Sequence, residues 1–324
     1  ISDVQFAEQE ETKRRHFKLS LGKLKQAVEE MNANRTHLDF VVHLGDLVDH
    51  SMEKYLPMLQ PVLESLKYPF YQVLGNHDFL MTDEKKFQKV HKMLGMPARY
   101  YSFSTGPEKR YRFIVLDGND IAMYSTLSNS PERREAEEWH QRLKRMRARN
   151  ANQFNGALGK PQIKWMKEQL DEATTENQRV VLFIHHPMRP KGEPTNLWND
   201  LEIVPIISAY KCVVAVVNGH AHKFLYDFHH TVHRTVHFIT FGGMVQSPFQ
   251  TFGFMDIYED VLRVHGLIFG RAIDYHYSLK EKNPSGSSSS SGDGGDAEKN
   301  KNKRIIYPTN LSPVKATATI NADD

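Results

Sequence analysis

Five short apolar runs, each followed at once by glycine or by polar residues, constrain the fold of this chain more than any other feature. They span residues 40–44, 70–74, 113–116, 180–184 and 213–217, and the motifs that follow them are GDLVDH, GNHD, DGND, HHP and NGHAH. Short runs rich in β-branched and aromatic residues, bounded by turn formers, are typical of buried strands. The sequence therefore predicts an α/β sheet that is covered on both faces.

Amphipathic helices are predicted between several of these strands. The segments HFKLSLGKLKQAVEEMN and GKPQIKWMKEQLDEA both repeat apolar residues at helical spacing, and Pro161 favours a helix start in the second segment. Alternating strands and helices indicate a layered α/β fold. Three later runs, TVHFITF, FGFMDIY and VLRVHGLIF, follow one another without helices, and we expect them to be antiparallel strands that finish the sheet.

The two ends of the chain and one charged segment differ from this pattern. The chain opens with ISDVQF, which we interpret as the end of a first strand whose beginning is missing. Residues 130–152 include RREAEEWHQRLKRMRARN, interpreted as a helical insertion with a solvated charged face. Residues 283–324 begin with a Ser- and Gly-rich stretch and are expected to be a mostly disordered tail, which leaves one domain over residues 1–282.

Composition narrows the classes of partner. The 324 residues carry a net charge of +3, which is not the strongly basic balance of nucleic-acid-binding domains. No apolar run approaches the roughly 20 residues of a membrane helix. The single cysteine, Cys212, cannot form an internal disulfide and favours a reducing compartment. We expect a cytoplasmic monomer without a nucleic-acid or membrane partner.

Acidic, amide and imidazole side chains follow the predicted strands. They are Asp46, Asp49, Asn76, His77, Asp117, His185, His186, His220 and His222. Because the loops at the carboxyl ends of strands converge in an α/β sheet, we expect these side chains to lie together. Each cluster alone could be a turn or a surface loop, but so many partly buried polar groups without partners would be costly. A metal centre accounts for all of them.

The types of side chain indicate which ions such a centre would hold. Carboxylate, amide oxygen and imidazole without thiolate suit Mn²⁺, Mg²⁺, Fe²⁺ or Zn²⁺. The ligand supply is too large for one ion and suits two that share a bridging carboxylate. Two ions about 3.5–4 Å apart can clamp the attacking and leaving oxygens of a phosphoryl group. The predicted reaction is hydrolysis of a phosphate ester or anhydride.

The motifs GDLVD, GNHD, IHHP and GHAH, in this order, resemble the series found in calcineurin-like metallophosphoesterases, over residues 1–222. The first motif of that superfamily is usually Asp-x-His, whereas this chain has Asp3-Val4-Gln5. Asp-x-Gln is a feature of the manganese-dependent ADP-ribose/CDP-alcohol diphosphatases, which ISDVQFA, RRHF, FNGALGKPQIKWM and NLWND also resemble. The resemblance implies a layered β-sandwich flanked by helices, with a dimetal site at the carboxyl ends of strands.

The resemblance also implies the ligands of two divalent ions, Mn²⁺ above all. One ion would be held by Asp3, Gln5, Asp46 and His222, and the other by Asp46, Asn76, His185 and His220. Gln5 would bind through its amide oxygen, although a glutamine at a strand end is by itself commonplace. His185 is favoured over His186 because the ligand histidine stands two residues before the proline of its motif; His186 would then make a hydrogen bond nearby.

The catalytic and substrate residues follow in the same way. His77 would stand beside the leaving oxygen as a proton donor, with Asp49 orienting its imidazole, and a water or hydroxide between the ions would be the nucleophile. Candidate substrate contacts are Arg14, Arg15, Asn155, His186 and Arg189. The arginines suit phosphate oxygens but could equally be surface charges. We expect Phe154, Trp165 and Trp198 to be core residues.

The leading functional hypothesis is hydrolysis of the pyrophosphate bond of ADP-ribose or CDP-alcohols, which releases AMP or CMP and a phosphorylated product. An alternative within the superfamily is a phosphodiesterase of cyclic nucleotides or glycerophosphodiesters. The connections that follow GDLVDH and GNHDF are shorter than in the diphosphatases, which leaves the substrate range open. A non-catalytic scaffold is a remote alternative, because His77 and every other expected position are filled.

Overall fold

The computed structural model describes residues 1–33, 38–81 and 84–281, so the predicted tail at 283–324 lies outside the described residues. The helices are α1 Leu19–Ala33, α2 Met52–Glu64, α3 Val90–Met93, α4 Pro131–Arg145, α5 Lys160–Thr175 and α6 Asp200–Ala209. The strands are β1 Val41–His43, β2 Phe70–Gln72, β3 Tyr101–Thr105, β4 Tyr111–Val115, β5 Arg179–Phe183, β6 Val213–Asn218, β7 Leu225–His230, β8 Thr235–Thr240, β9 Phe252–Ile257, β10 Val261–Ile268 and β11 Arg271–Ser278. The five strands predicted from the apolar runs are confirmed as β1, β2, β4, β5 and β6.

The strands form a mixed main sheet and two smaller sheets. The main sheet has the order β3-β4-β5-β6-β8-β7, in which β4, β5, β6 and β8 are parallel and the two edge strands are antiparallel. Strands β1 and β2 form a parallel pair. Strands β9, β10 and β11 form a separate antiparallel sheet, so the expectation that FGFMDIY and VLRVHGLIF finish the main sheet is wrong. Only TVHFITF joins the main sheet, as β8.

Alternating residues of the main sheet enter two different cores. Phe113 and Val115 of β4 belong to the core shared with α1, α2 and the β9–β11 sheet, whereas Ile114 faces the core under α5 and α6. The same division separates Phe183 from Leu182 on β5. Since successive side chains of a strand point to opposite faces, the sheet is apolar on both sides. This arrangement is the predicted β-sandwich flanked by helices.

Residues 1–6 do not form the predicted end of a strand. Asp3 and Gln5 have φ values of 47° and 43°, which extended backbone does not allow. The segment instead follows the loop after β1: the backbone N–H of Asp3 donates to Gly45 O at 3.1 Å, and that of Gln5 donates to Asp46 O at 2.9 Å. These bonds hold both side chains against the carboxyl end of β1.

The charged segment is a helix, as predicted. Ser130 is the N-cap of helix α4, and its hydroxyl accepts a hydrogen bond from the backbone N–H of Arg133 at 3.0 Å. Its Arg- and Lys-rich last turn is exposed, while its inner face joins a small core that contains Trp198. Trp198 is therefore a core residue, but Phe154 is 65% exposed, contrary to expectation. Within the described part of the chain, no helix is both long and apolar enough to cross a membrane.

A cavity of about 940 Å³ is lined in part by residues of β1, β4 and β5. Its lining includes Phe113, Phe183 and Phe254 but no residue of the polar motifs that follow the strands. The motifs lie at the carboxyl ends of the same strands. The cavity is therefore separate from the cluster of polar side chains described below.

The stacked aromatic core between the sheets predicts that two phenylalanines contribute very differently to the free energy of unfolding. Phe183 is fully buried and stacks on Phe113 at 5.8 Å, so Phe183→Ala should lower the free energy of unfolding by about 3–5 kcal/mol. Phe154→Ala is the control, because its exposed ring should contribute less than about 0.5 kcal/mol. Urea unfolding followed by circular dichroism measures both. Equal losses would contradict the assigned core.

Candidate metal centre

The loops after β1, β2, β5 and β6 meet at the carboxyl ends of these strands. Two glycines allow these loops to approach one another closely. A Cβ atom on Gly75 would lie 2.1 Å from Asp46 Oδ1, and one on Gly45, whose φ is 98°, would lie 2.5 Å from His185 Nδ1. Neither position could hold a side chain without displacing a polar group of the cluster.

Five of the predicted ligands share an uncommon backbone conformation. Asp3, Gln5, Asp46, His220 and His222 have φ values of 47°, 43°, 61°, 63° and 53°. Residues other than glycine adopt the left-handed region rarely, and such strain concentrates at functional sites, where the surrounding structure holds it in place. Residues outside the centre, such as Glu108 and Asn129, also have a positive φ, so the conformation supports the site only together with the donor chemistry.

Two overlapping groups of side chains bring their donor atoms within 4.8 Å of one another. The first group contains Asp46, His185 and His220, and the second contains Asp3, Asp46 and His222. Asp46 belongs to both and is buried, as is Asp3. Two carboxylates in a water-poor centre need cationic partners. The geometry is that of two adjacent cation positions sharing one carboxylate.

Asn76 completes the first group. Its Oδ1 lies 3.2 Å from His185 Nε2, which is itself 3.3 Å from Asp46 Oδ2. His185 Nδ1 lies 2.7 Å from the backbone oxygen of Leu44, and this contact directs Nε2 toward the centre. Burial alone would lower the pKa of His185, but the Asp46 carboxylate outweighs it and raises the pKa to about 9.

Backbone and side-chain contacts hold the second group together. His222 Nε2 lies 3.2 Å from Asp3 Oδ1, and the backbone N–H of His220 donates to the Asp3 carboxylate at 3.2 Å. His222 Nδ1 is buried without a hydrogen-bond partner. The donor set of carboxylate, imidazole and amide fits divalent ions of the Mn²⁺ type. Cys212, buried under α5, contributes nothing to it.

Gln5 lies in the centre with its amide nitrogen toward Asp46. Nε2 donates to Asp46 Oδ2 at 2.8 Å and lies 3.3 Å from His222 Nε2, while Oε1 accepts from Arg15 Nη1. A half-turn about the last side-chain bond would exchange the oxygen and the nitrogen. The side chain is therefore in position for the predicted role, and its amide oxygen faces Arg15 in this structure.

His77 and Asp49 form a pair at the edge of the centre. His77 Nδ1 lies 2.7 Å from the backbone oxygen of Asp49 and 3.2 Å from its Oδ1, and the backbone N–H of His77 donates to Asp46 Oδ1 at 2.8 Å. Burial lowers the pKa of His77, but Asp46 and Asp49 outweigh it and raise the pKa to about 9. The two carboxylates thus favour the protonated imidazole, and its Nδ1 is held by Asp49.

His186 and Asn155 support the centre rather than line it. His186 Nε2 lies 3.2 Å from both Tyr124 Oη and the backbone oxygen of Phe154, and burial lowers the pKa of His186 to about 3. Asn155 Oδ1 lies 2.9 Å from His220 Nε2. Asn155 Nδ2 in turn donates to two backbone oxygens, those of Asn150 at 2.9 Å and Pro194 at 2.8 Å. Asn155 therefore fixes the imidazole of His220.

The three arginines predicted as substrate contacts differ in position. Arg15 reaches the centre, where its Nη1 lies 3.2 Å from His222 Nε2. Arg14 is exposed. Arg189 pairs with Asp227 at 2.8 Å. Asp117, which also follows a strand, pairs instead with Arg99 at 2.6 Å and belongs to neither donor group.

Asp78 was not selected from the sequence, although it ends the GNHD motif. Its buried carboxylate accepts backbone N–H bonds from Asp46 at 3.1 Å, Leu47 at 3.0 Å and Gly75 at 2.8 Å. Burial, followed by the charge of Asp46, raises the pKa of Asp78 to about 7. A carboxylate beside a glycine-rich turn could have signalled this role, since it supplies an acceptor for amides that the turn leaves unpaired.

Comparison with known proteins places this geometry among phosphoesterases. Residues 1–224 match the family model of calcineurin-like phosphoesterases. The human manganese-dependent ADP-ribose/CDP-alcohol diphosphatase is 28% identical, covering 85% of this chain and 91% of the relative. The protein of the same name from Arabidopsis thaliana is 29% identical, covering 85% of this chain and 95% of the relative. That from Oryza sativa subsp. japonica is 30% identical, covering 82% of this chain and 89% of the relative. A dimetal phosphatase from Danio rerio shares the fold with a TM-score of 0.74 at 20% identity, covering 86% of this chain and 98% of that chain.

The bonds made by Asp78 predict that the loop assembly depends on it. Asp78→Ala leaves three backbone N–H groups without acceptors, and we expect a loss of at least about 3 kcal/mol in the free energy of unfolding. Urea unfolding measures the loss, with the exposed Asp260→Ala as control. Equal midpoints for the two variants would show that water replaces the carboxylate.

Proposed function

The chain belongs to the calcineurin-like phosphoesterase family and is a metal-dependent hydrolase, and from this we propose that it splits the pyrophosphate bond of ADP-ribose or CDP-alcohols. The products would be AMP or CMP and a phosphorylated second product. The observation that carries the chemistry is the pair of donor groups sharing Asp46. The substrate class is supported by the names of the relatives, which match this chain over most of its described length.

The described residues fit two divalent ions, for which Mn²⁺ is supported by the names of the relatives. Under this proposal the first ion is held by Asp3, Gln5, Asp46 and His222, and the second by Asp46, Asn76, His185 and His220. When bound, the ions would neutralise phosphate charge and make water a stronger nucleophile. Asp46, which belongs to both donor groups, would contribute to holding both ions.

His77 is proposed as the proton donor to the leaving phosphate oxygen. Its ring is 23% exposed at the edge of the centre, so it can meet a substrate, and the Asp49 carboxylate beside Nδ1 favours its protonated form. Asp49 holds Nδ1 and leaves Nε2 free to point at the leaving oxygen. Asp49 itself is fixed by Gln9, whose Nε2 donates to Asp49 Oδ2 at 2.8 Å.

Substrate recognition is proposed to depend on Arg15 more than on the other arginines. Arg15 is the member of the three whose guanidinium reaches the donor groups, and guanidinium forks suit phosphate oxygens. Arg14 and Arg189 would contribute at the rim. Asn155 and His186 would act indirectly, by holding the imidazole and backbone groups next to the centre.

We further propose that the protein works as a cytoplasmic monomer whose partner is the nucleotide substrate. The buried free thiol of Cys212 is consistent with a reducing compartment. Light scattering of the purified protein would measure the oligomeric state. Imaging of a tagged full-length protein in cells would show its compartment.

A panel of phosphate compounds tests the substrate class. ADP-ribose, CDP-choline, cyclic AMP and bis-p-nitrophenyl phosphate are compared with Mn²⁺ present, and the nucleotide product is identified by chromatography. AMP from ADP-ribose or CMP from CDP-choline, well above the diester rates, is the expected result. Activity confined to the diesters would assign the protein to the phosphodiesterase alternative.

The role of His77 predicts a separation of turnover from metal content. His77→Ala should lower kcat about 10²–10⁴-fold, the usual contribution of a positioned proton donor, while bound Mn²⁺ stays near the wild-type level. Steady-state kinetics and elemental analysis measure the two quantities, with the exposed His230→Ala as control. Loss of metal together with activity would make His77 a ligand instead.

A further inference from the structure

Arg15 contacts the same donor atoms that a metal ion would need. Its Nη1 donates to Gln5 Oε1 and lies 3.2 Å from Nε2 of His222. Both are predicted ligands of one ion, and a guanidinium has five N–H donors, no acceptor and a permanent charge. An arginine nitrogen at these two atoms therefore contacts donor atoms that the ion would need.

The backbone on either side of Arg15 is held in place. The Arg15 carbonyl accepts from the N–H of Thr12 at 2.9 Å, and the N–H of His16 donates to Val245 O at 2.8 Å. The N–H of Val245 donates in turn to the carbonyl of Asp3 at 3.0 Å. Arg15 is thus anchored to the segment that carries two of the predicted ligands. With the Arg15–His16 peptide held in this way, rotation of the Arg15 side chain is the simplest movement that takes the guanidinium away from Gln5 and His222.

We infer that Arg15 is an internal cation that competes with one metal ion for Gln5 and His222 and that turns to a substrate phosphate when the ion binds. This inference rests on the proposed function, because the phosphate partner is the substrate's. The imidazole nitrogen of His222 has one lone pair, which cannot serve a guanidinium and an ion at once, and the one amide oxygen of Gln5 is turned toward Arg15. Loading the ion therefore releases a charged fork beside the centre, where phosphate oxygens are its natural partners.

The competition has a consequence that needs no substrate. One hydrogen bond from a charged donor contributes at least about tenfold in affinity, which corresponds to about 1.4 kcal/mol. Removing the guanidinium should therefore lower the Kd of metal-free protein for Mn²⁺ about tenfold. The same removal should raise KM for ADP-ribose at saturating Mn²⁺, because the phosphate loses a partner.

The experiment titrates Mn²⁺ into metal-free full chain and follows free Mn²⁺ by electron paramagnetic resonance. Arg15→Met is compared with Arg14→Met, which removes the same charge from the neighbouring, exposed position. We expect tighter binding in Arg15→Met alone. Equal gains in Mn²⁺ affinity in both variants would contradict the inference, because they would show that loss of any nearby positive charge is sufficient. An unchanged or higher Kd in Arg15→Met would also overturn it.

Two further variants sharpen the test. Gln5→Ala should weaken Mn²⁺ binding, and adding Arg15→Met to it should give a smaller gain than in the wild type, because the two residues share a contact. A full gain in that background would contradict competition at Gln5. Arg15→Lys keeps the charge without the planar fork, so a smaller gain in the same direction is expected there, and this variant serves if Arg15→Met does not fold.

Failure of the inference and failure of the proposed function give different results. The Mn²⁺ titration contains no nucleotide, so it depends only on the chain and the ion. If Arg15→Met leaves the Kd unchanged while the wild type releases AMP from ADP-ribose, only the competition is wrong. If Arg15→Met binds Mn²⁺ more tightly and no pyrophosphate is hydrolysed, only the substrate class is wrong.

Discussion

The buried carboxylate of Asp46 is the constraint on which the rest of this structure depends. Its charge lies in a water-poor centre, its backbone has a left-handed φ of 61°, and the glycine opposite leaves no room for a Cβ atom. A buried charge is tolerated only with strong partners. Imidazoles of the β5 and β6 loops, the amide of Gln5 and the N–H of His77 supply them here. The main sheet and the β1–β2 pair hold these loops together at one edge.

The imidazoles around Asp46 divide into two kinds, and their surroundings explain the division. Burial lowers the pKa of His186 and His220, and the nearby positive groups lower it further. Burial also lowers the pKa of His185 and of the half-buried His77, but Asp46, together with Asp3 at His185 and Asp49 at His77, outweighs it and raises both pKa values to about 9. Asp46 thus acts on both imidazoles, and the contact of His77 Nδ1 with Asp49 distinguishes the proposed proton donor from the proposed ligand His185.

The sequence predicted the fold class, the strands β1, β2, β4, β5 and β6, and donor residues that meet at the ends of these strands. It did so because strand ends, turn formers and ligand types are local features of the chain. It missed Asp78, whose importance comes from the amides of Asp46 and Leu47 on another loop and of Gly75 in its own turn. It also placed Phe154 in the core and joined β9 and β10 to the main sheet. Those errors share a cause, since apolar residue type does not reveal which partner a segment packs against.

What the sequence determined by itself was the kind of chemistry: carboxylates, an amide and imidazoles after successive strands, in the order of one phosphoesterase family. Only the tertiary structure decided which of them touch. Gln5 and His222 are 217 residues apart, yet their nitrogens lie 3.3 Å from each other, with the Arg15 guanidinium against both. The reason is physical. The type of each side chain can be read from its position in the sequence, whereas the distances across the centre depend on how the sheets and loops pack around Asp46.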